Sequence, residues 1–254
     1  MPVELNLPLG VLFGFLAVLA RVAGALSFVP LPGFRNAPLA ARVVLALSLT
    51  VALSPLWPEL PSEPSLGWML VLVGSEAALG ITIGVAVAFL METLLVAAQV
   101  FGMQAGYSYA STINPDADAD SSVLLVLAQL MAGMLFFALG LDGQVMRALA
   151  SSLVAHPPGT YMLQPASARI MIALGAGMLA TGVQLALPIV LLLMLIDVAL
   201  ALLGRLQQQL QLITLAFPIK MLATLVFLAA LSSLFIPVYR AAAARTFAAL
   251  ARML

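Results

Sequence analysis

Five ionisable residues stand inside, or at the ends of, otherwise apolar runs: Glu76, Glu92, Asp197, Arg205 and Lys220. A charge at the centre of a membrane helix costs roughly 2.5 to 3.5 kcal/mol on insertion scales, so each needs a reason to be there. Two chemistries would supply one. Carboxylates at such depth can relay protons, as in a proton-coupled small-molecule secondary transporter. Alternatively, acid and base pair across helices or subunits and hold an assembly together, and this is the role expected of all five. Asp197 and Arg205 lie close to two helical turns apart, so they share a helix face without touching and their partners must come from other helices.

Catalytic and metal-binding constellations are otherwise thin. The chain has one histidine, His156, in a His-Pro-Pro-Gly turn, and no cysteine, which excludes disulfides, thiolate catalysis and cysteine-ligated metals. Ser151 and Ser152 have no base near them in sequence. Asp116, Asp118 and Asp120 alternate like a calcium loop, but the run lacks the glycine and the closing glutamate that an EF-hand needs. It reads as a solvated loop. We expect no catalytic residue, no metal and no cofactor.

These residues sit in a chain of 254 residues that is 64% apolar and 8% charged, with ten basic residues against ten acidic ones. Soluble domains carry roughly a quarter charged residues, so this composition belongs to an all-α integral membrane protein. No basic block offers the footprint that nucleic acid requires. The first apolar run lacks a positive n-region and continues past Arg21 to Val29, so it is expected to be a retained helix and not a cleaved signal peptide.

Charges and proline clusters divide the rest. A turn carrying Pro30, Pro32, Gly33, Arg35 and Pro38 leads to a second segment, Arg42 to Leu56. A loop with Glu59 and Glu63 follows, flanked by Trp57 and Trp68 as interface anchors. The run from Gly67 to about Ile113 is too long for one crossing and is expected to bend or return as a hairpin. An uncharged run, Ser121 to Leu141, precedes a polar connection from Asp142 to Pro165 that includes Arg147. The stretch Ile170 to Ile196 leads through Asp197 and Arg205 to a polar turn at Gln207 to Gln211, and a last apolar segment runs from Ala216 to Tyr239. Pro218 is expected at its first turn, where a missing N–H costs nothing. With the hairpin at Gly67 to Ile113, basic residues collect on one side, as the positive-inside rule requires. The pairs Gly80/Gly84 and Gly102/Gly106 have the spacing that lets helix backbones approach closely.

The stretch Met103 to Pro115, MQAGYSYASTINP, is rich in Gly, Ser and Tyr and ends in a turn-favouring Asn-Pro. A lipid-facing helix would not be built this way. Non-helical backbone at membrane depth is tolerated only when it is buried in protein or lines a cavity, which makes this a pore-associated loop.

Four motifs in order along the chain resemble the FliR family, the R subunits of the type III export gate, whose injectisome counterpart is SctT. They are ARVAGALSFVPLPGFRNAPLAARVVLAL (Ala20 to Leu47), SEAALGITIG (Ser75 to Gly84), GMQAGYSYASTINP (Gly102 to Pro115) and ALPIVLLLMLIDVALALLGRLQQQLQLITLAFPIK (Ala186 to Lys220). The chain departs from the family pattern at Asp142, where Asn precedes Gly, and at Asp197, often Asn. The resemblance implies a non-enzymatic subunit of the flagellar gate in the bacterial inner membrane, at the basal body. One R subunit would join five P and four Q subunits in a closed channel for unfolded export substrates, with a B-type switch protein at its cytoplasmic opening and lipid around it. It further implies helical hairpins in two parts, a P-like part over residues 1–184 and a Q-like part over 185–254. The plug of the channel maps onto a loop near 106–120, with Gly106, Tyr107, Ser108, Tyr109, Ala110, Ser111, Asn114 and Pro115 as its residues. The hairpin Leu185 to Tyr239 would dock beside a Q subunit. A secondary transporter is the alternative, but it should show pseudo-symmetric halves, and no internal repeat is visible.

Overall fold

The computed structural model describes residues 9–29, 38–58, 60, 65–107, 123–161, 164–206 and 212–253. Among the described residues there are seven α-helices and no strand: α1 (Leu9–Phe28), α2 (Leu39–Ala52), α3 (Leu66–Ala105), α4 (Val123–Ala138), α5 (Leu141–Ala155), α6 (Pro165–Leu206) and α7 (Leu212–Met253). The all-α class expected from composition is what the chain adopts. Four helices, α1, α3, α6 and most of α7, are long and apolar enough to cross a bilayer.

Three expectations about the elements change. Up to Ala105 the run after Gly67 makes no return: α3 is one helix of 40 residues, twice the roughly 20 that a bilayer needs. From Ser65 to Asn114 there is no proline to interrupt the hydrogen-bond ladder, and 61% of the most apolar stretch of α3 is buried by protein. Hydropathy therefore read protein-buried surface as lipid-facing surface. The supposed polar connection after Asp142 is mostly the helix α5, which buries Leu141, Val145, Leu149, Ser152 and Leu153. Those positions recur every three or four residues, an amphipathic period that the interspersed polar residues mask. Finally, Pro218 does not open the last helix, because α7 begins at Leu212 and encloses both Pro218 and Pro237. Proline inside a membrane helix is tolerated where neighbouring groups re-satisfy the backbone it frees.

The chain forms two compact units. The first comprises Met1–Phe89, Phe136–Gly175 and Ala244–Leu254. Its core is built by Val18, Val22 and Leu26, one turn apart along α1, against Ala46 of α2 and Leu153 of α5. Trp57, expected at a membrane interface, packs edge-on against Phe15 at 5.2 Å between ring centres and donates its indole N–H to the Thr50 carbonyl at 2.9 Å. Along the α1–α3 seam, Gly80 and Gly84 lie against the backbone of Arg21 and Ala25, and a Cβ on Gly24 would stand 2.6 Å from the Ala77 carbonyl oxygen. Only glycine permits this approach. The second unit comprises Leu90–Leu135 and Ala176–Ala243. In it Gly102 packs under Leu124 of α4, and Gly182 of α6 meets Thr93 and Val96 of α3.

Candidate functional site

The seam of glycines in the first unit brings Arg21 of α1 beside Glu76 of α3, and both side chains are fully buried. Arg21 Nε donates to Glu76 Oε2 at 2.6 Å, Nη2 donates to the His156 carbonyl at 2.9 Å, and Nη1 donates to Ser152 Oγ at 3.2 Å. The other carboxylate oxygen, Glu76 Oε1, accepts the Gly159 N–H at 3.0 Å. Ser152 in turn donates to the Leu149 carbonyl at 2.7 Å. Each nitrogen of the guanidinium and each oxygen of the carboxylate is engaged, which is the condition under which a buried ion pair is tolerated. The network joins α1, α3, α5 and the turn after α5. Gly159 adopts φ +91°, a conformation that other residues rarely take, and so presents its N–H to Glu76. The His156 ring contributes packing, edge-on to Tyr161 at 5.6 Å.

The second unit holds a different polar cluster. Lys220 of α7 reaches Asp197 of α6, with Nζ 3.0 Å from Oδ1 and 3.1 Å from Oδ2. Gln104, in the last turn of α3, donates its amide to Asp197 Oδ2 at 3.0 Å. Two residues beyond α3's last turn lie next to this group. Gly106 ends the helix at φ +87°, with the Phe217 ring against the position a Cβ would take, and the Tyr107 hydroxyl donates to the Met221 carbonyl at 3.0 Å.

Of the ionisable residues singled out by sequence, Glu76 is thus joined to Arg21, and Asp197 to Lys220. The other two stand apart. Glu92 is exposed and makes no ion pair among the described residues. From Leu90 onward, the exposed positions of α3 are Glu92, Gln99 and Met103, which fall on one helix face. Arg205 is exposed in the last turn of α6, where the helix dipole favours a cation. Among the loop residues, Gly106 and Tyr107 are placed as above. Ser108, Tyr109, Ala110, Ser111, Asn114 and Pro115 lie outside the described residues, as do the acidic triplet and the Gln-rich turn.

Sequence reasoning passed over Arg21, Ser152, Gly159 and Gln104 as partners. Arg21 carried a signal, being a charge alone in an apolar run. The other three are a hydroxyl, a backbone amide and a carboxamide, which composition cannot distinguish from any others.

The profile of the bacterial export proteins, family 1, matches residues 12–246, nearly the whole chain. The chain belongs to this family. Flagellar biosynthetic protein FliR of Escherichia coli (strain K12) is 26% identical over 86% of this chain and 84% of its own length. Its namesake in Caulobacter vibrioides is 26% identical over 84% and 85%. The Bacillus subtilis (strain 168) protein of the same name is 24% identical over 89% and 88%. Membership of this export family, together with four bilayer-length apolar helices, makes the chain a multi-pass inner-membrane component of the flagellar export apparatus.

Proposed function

We propose that this family member is the R subunit of the flagellar export gate, a non-enzymatic part of the channel that passes unfolded export substrates. Its partners are P and Q subunits, in the proportion of five P and four Q to one R, and a B-type switch protein at the cytoplasmic mouth. The segment 106–115 closes the channel.

The observation that carries this reading is the exposed face of the second half of α3. A helix facing lipid presents apolar side chains, yet here the exposed positions are Glu92, Gln99 and Met103, and the helix then ends at Gly106 with the Gly/Ser/Tyr-rich segment. A carboxylate and an amide on one face suit contact with water and with an unfolded polypeptide. The secondary-transporter reading has no comparable support, because Glu76 and Asp197 are already occupied by Arg21 and Lys220.

The chain's lack of cysteine makes the test direct. Single cysteines at Glu92, Gln99 and Met103 in the assembled complex should react with a membrane-impermeant thiol reagent and be protected when an export substrate is arrested in the channel. A cysteine at Leu195, an exposed apolar position on α6, should stay unreactive. Equal reactivity at all four positions, or none at the α3 positions, would count against a channel-lining face.

The C-terminal hairpin Leu185 to Tyr239, formed by the second half of α6 and by α7, is assigned to the Q-like part and docks beside a Q subunit. The most apolar stretch of α7 is only 11% buried within the chain, which leaves its surface for lipid and for partners. Cysteines placed from Gln207 to Gln211 are expected to capture a Q subunit or the switch protein on oxidation with a partner cysteine. Capture of P subunits alone would overturn the docking arrangement.

A further inference from the structure

We propose that the exposed basic face at the end of α7, carried by Arg245 and Arg252, is a docking surface for one acidic α-helix of another subunit of the export apparatus. The face lies beyond Tyr239, where the hairpin assigned to the Q-like part ends, so the inference is separate from that assignment.

From Ala244 onward the helix is two-sided. Thr246, Leu250 and Met253 are buried, while Ala244, Arg245, Ala248, Ala251 and Arg252 are exposed. At about 3.6 residues per turn the exposed set falls within about a third of the circumference, opposite the buried set. Two residue types make up this face, and each narrows the partner. Arg245 and Arg252 stand seven residues apart along one edge, where paired helices place the charges that choose a partner. Beside them Ala244, Ala248 and Ala251 recur at the four- and three-residue steps of a helix-packing seam, and alanine there lets a second backbone come close.

Charge fixes the sign of that partner. From Val198 to Leu254 there is no Asp or Glu, against five basic residues. The positions three and four residues before each of the two arginines are alanine, so no acid on the same helix face neutralises them. Arg252 makes no ion pair among the described residues. A second copy of this chain would set arginine against arginine, a juxtaposition that costs binding energy. A bilayer surface takes up a basic helix through large apolar side chains on the opposite face, and here Leu250 and Met253 are already buried within the chain. What complements the face is a helix with small residues along its seam and Asp or Glu along its edge at the same seven-residue spacing.

The test uses the assembled export complex in nanodiscs of phosphatidylethanolamine and phosphatidylglycerol, with a diazirine-bearing amino acid in place of Ala248. Irradiation should capture a helix of another subunit that carries Asp or Glu within one turn of the captured residue. Arg245→Glu with Arg252→Glu should lower capture at least about tenfold, because like charges then face each other. Exchanging the acids found opposite for lysine should restore capture in that background. Arg245→Lys with Arg252→Lys keeps the charge and should hold capture near the wild-type level, which separates loss of charge from damage to the helix. Capture of lipid alone, of a second copy of this chain, or of a segment without acids overturns the proposal, as does no capture at all. Capture that survives the charge reversal, or that falls equally in the lysine variant, overturns it too.

Discussion

Removal of Gly106 to Ser111, part of the proposed plug, is expected to leave an assembled complex that leaks ions or small solutes at least about tenfold faster than wild type, since loss of a plug changes the open fraction directly. Assembly should survive because the helices carry the contacts that hold the chain together: the α1–α3 glycine seam and the Arg21–Glu76 network lie in the first unit, away from this segment in sequence. Shortening a connection between helices has a small entropic effect compared with loss of a packed helix. Conductance of the purified complex in a planar bilayer, normalised to the amount assembled, checks this. A deletion complex that forms normally and stays as tight as wild type would mean that closure resides elsewhere.

Loss of either partner of the buried ion pair should have the largest effect on the subunit itself. Breaking such a pair leaves an uncompensated buried charge, at a cost of about 3 to 5 kcal/mol. Glu76→Gln keeps the shape and one acceptor for the Gly159 N–H but leaves the Arg21 guanidinium without a counter-charge, and Arg21→Ala strands the carboxylate in the same way. Both variants should fall to a small fraction of wild-type abundance in the complex, while the pH dependence of export in whatever assembles stays as it was. Swapping the charges, Arg21→Glu with Glu76→Arg, should not rescue. At position 76 an arginine would face the Gly159 N–H, donor against donor, and at position 21 a glutamate would face the His156 carbonyl, acceptor against acceptor. The measurement is the amount of subunit in the intact complex on a native gel. Full assembly of Glu76→Gln with loss of proton-dependent export would instead make Glu76 part of a proton path.

This directionality separates the two charge clusters. The Arg21–Glu76 pair is bound by backbone groups that cannot change role, so its polarity is fixed by the fold. Asp197, paired directly with Lys220, is also held by the Gln104 side-chain amide, which can serve either polarity.

Much was legible before the structure. Low charge and high apolar content excluded a soluble domain, and apolar runs of membrane length pointed to helices. The Gly80/Gly84 spacing marked a close helix contact, which α1 makes at Arg21 and Ala25. The stretch Met103 to Pro115 was read as non-helical, but its first three residues complete α3, which ends at Ala105, and only Gly106 and Tyr107 of the remainder are among the described residues. These features are local, carried by composition and spacing within one or two turns, so a linear reading reaches them. The same locality explains the misreadings. Hydropathy is a property of a segment and does not record whether protein or lipid covers it, so α3 was given a return that it does not make. The polar residues after Asp142 hid a helix that begins at Leu141, and Pro218 was taken as a helix start although α7 already begins at Leu212.

What only the tertiary structure decided is which groups meet. Arg21 and Glu76 are 55 positions apart, Arg21 and Ser152 are 131 apart, and Gln104 and Asp197 are 93 apart. An isolated charge in an apolar run announces that a partner is needed, because its desolvation would otherwise be prohibitive. It does not say which partner, since that depends on how helices cross. The sequence alone thus determined that this is an all-α membrane protein with charges requiring partners and a Gly/Ser/Tyr-rich stretch from Met103 to Pro115. The packing of α1 on α3, and of α6 and α7 beside the end of α3, decided that Arg21 and Glu76 are sealed together while Asp197 meets Lys220 and Gln104 in a partly open setting.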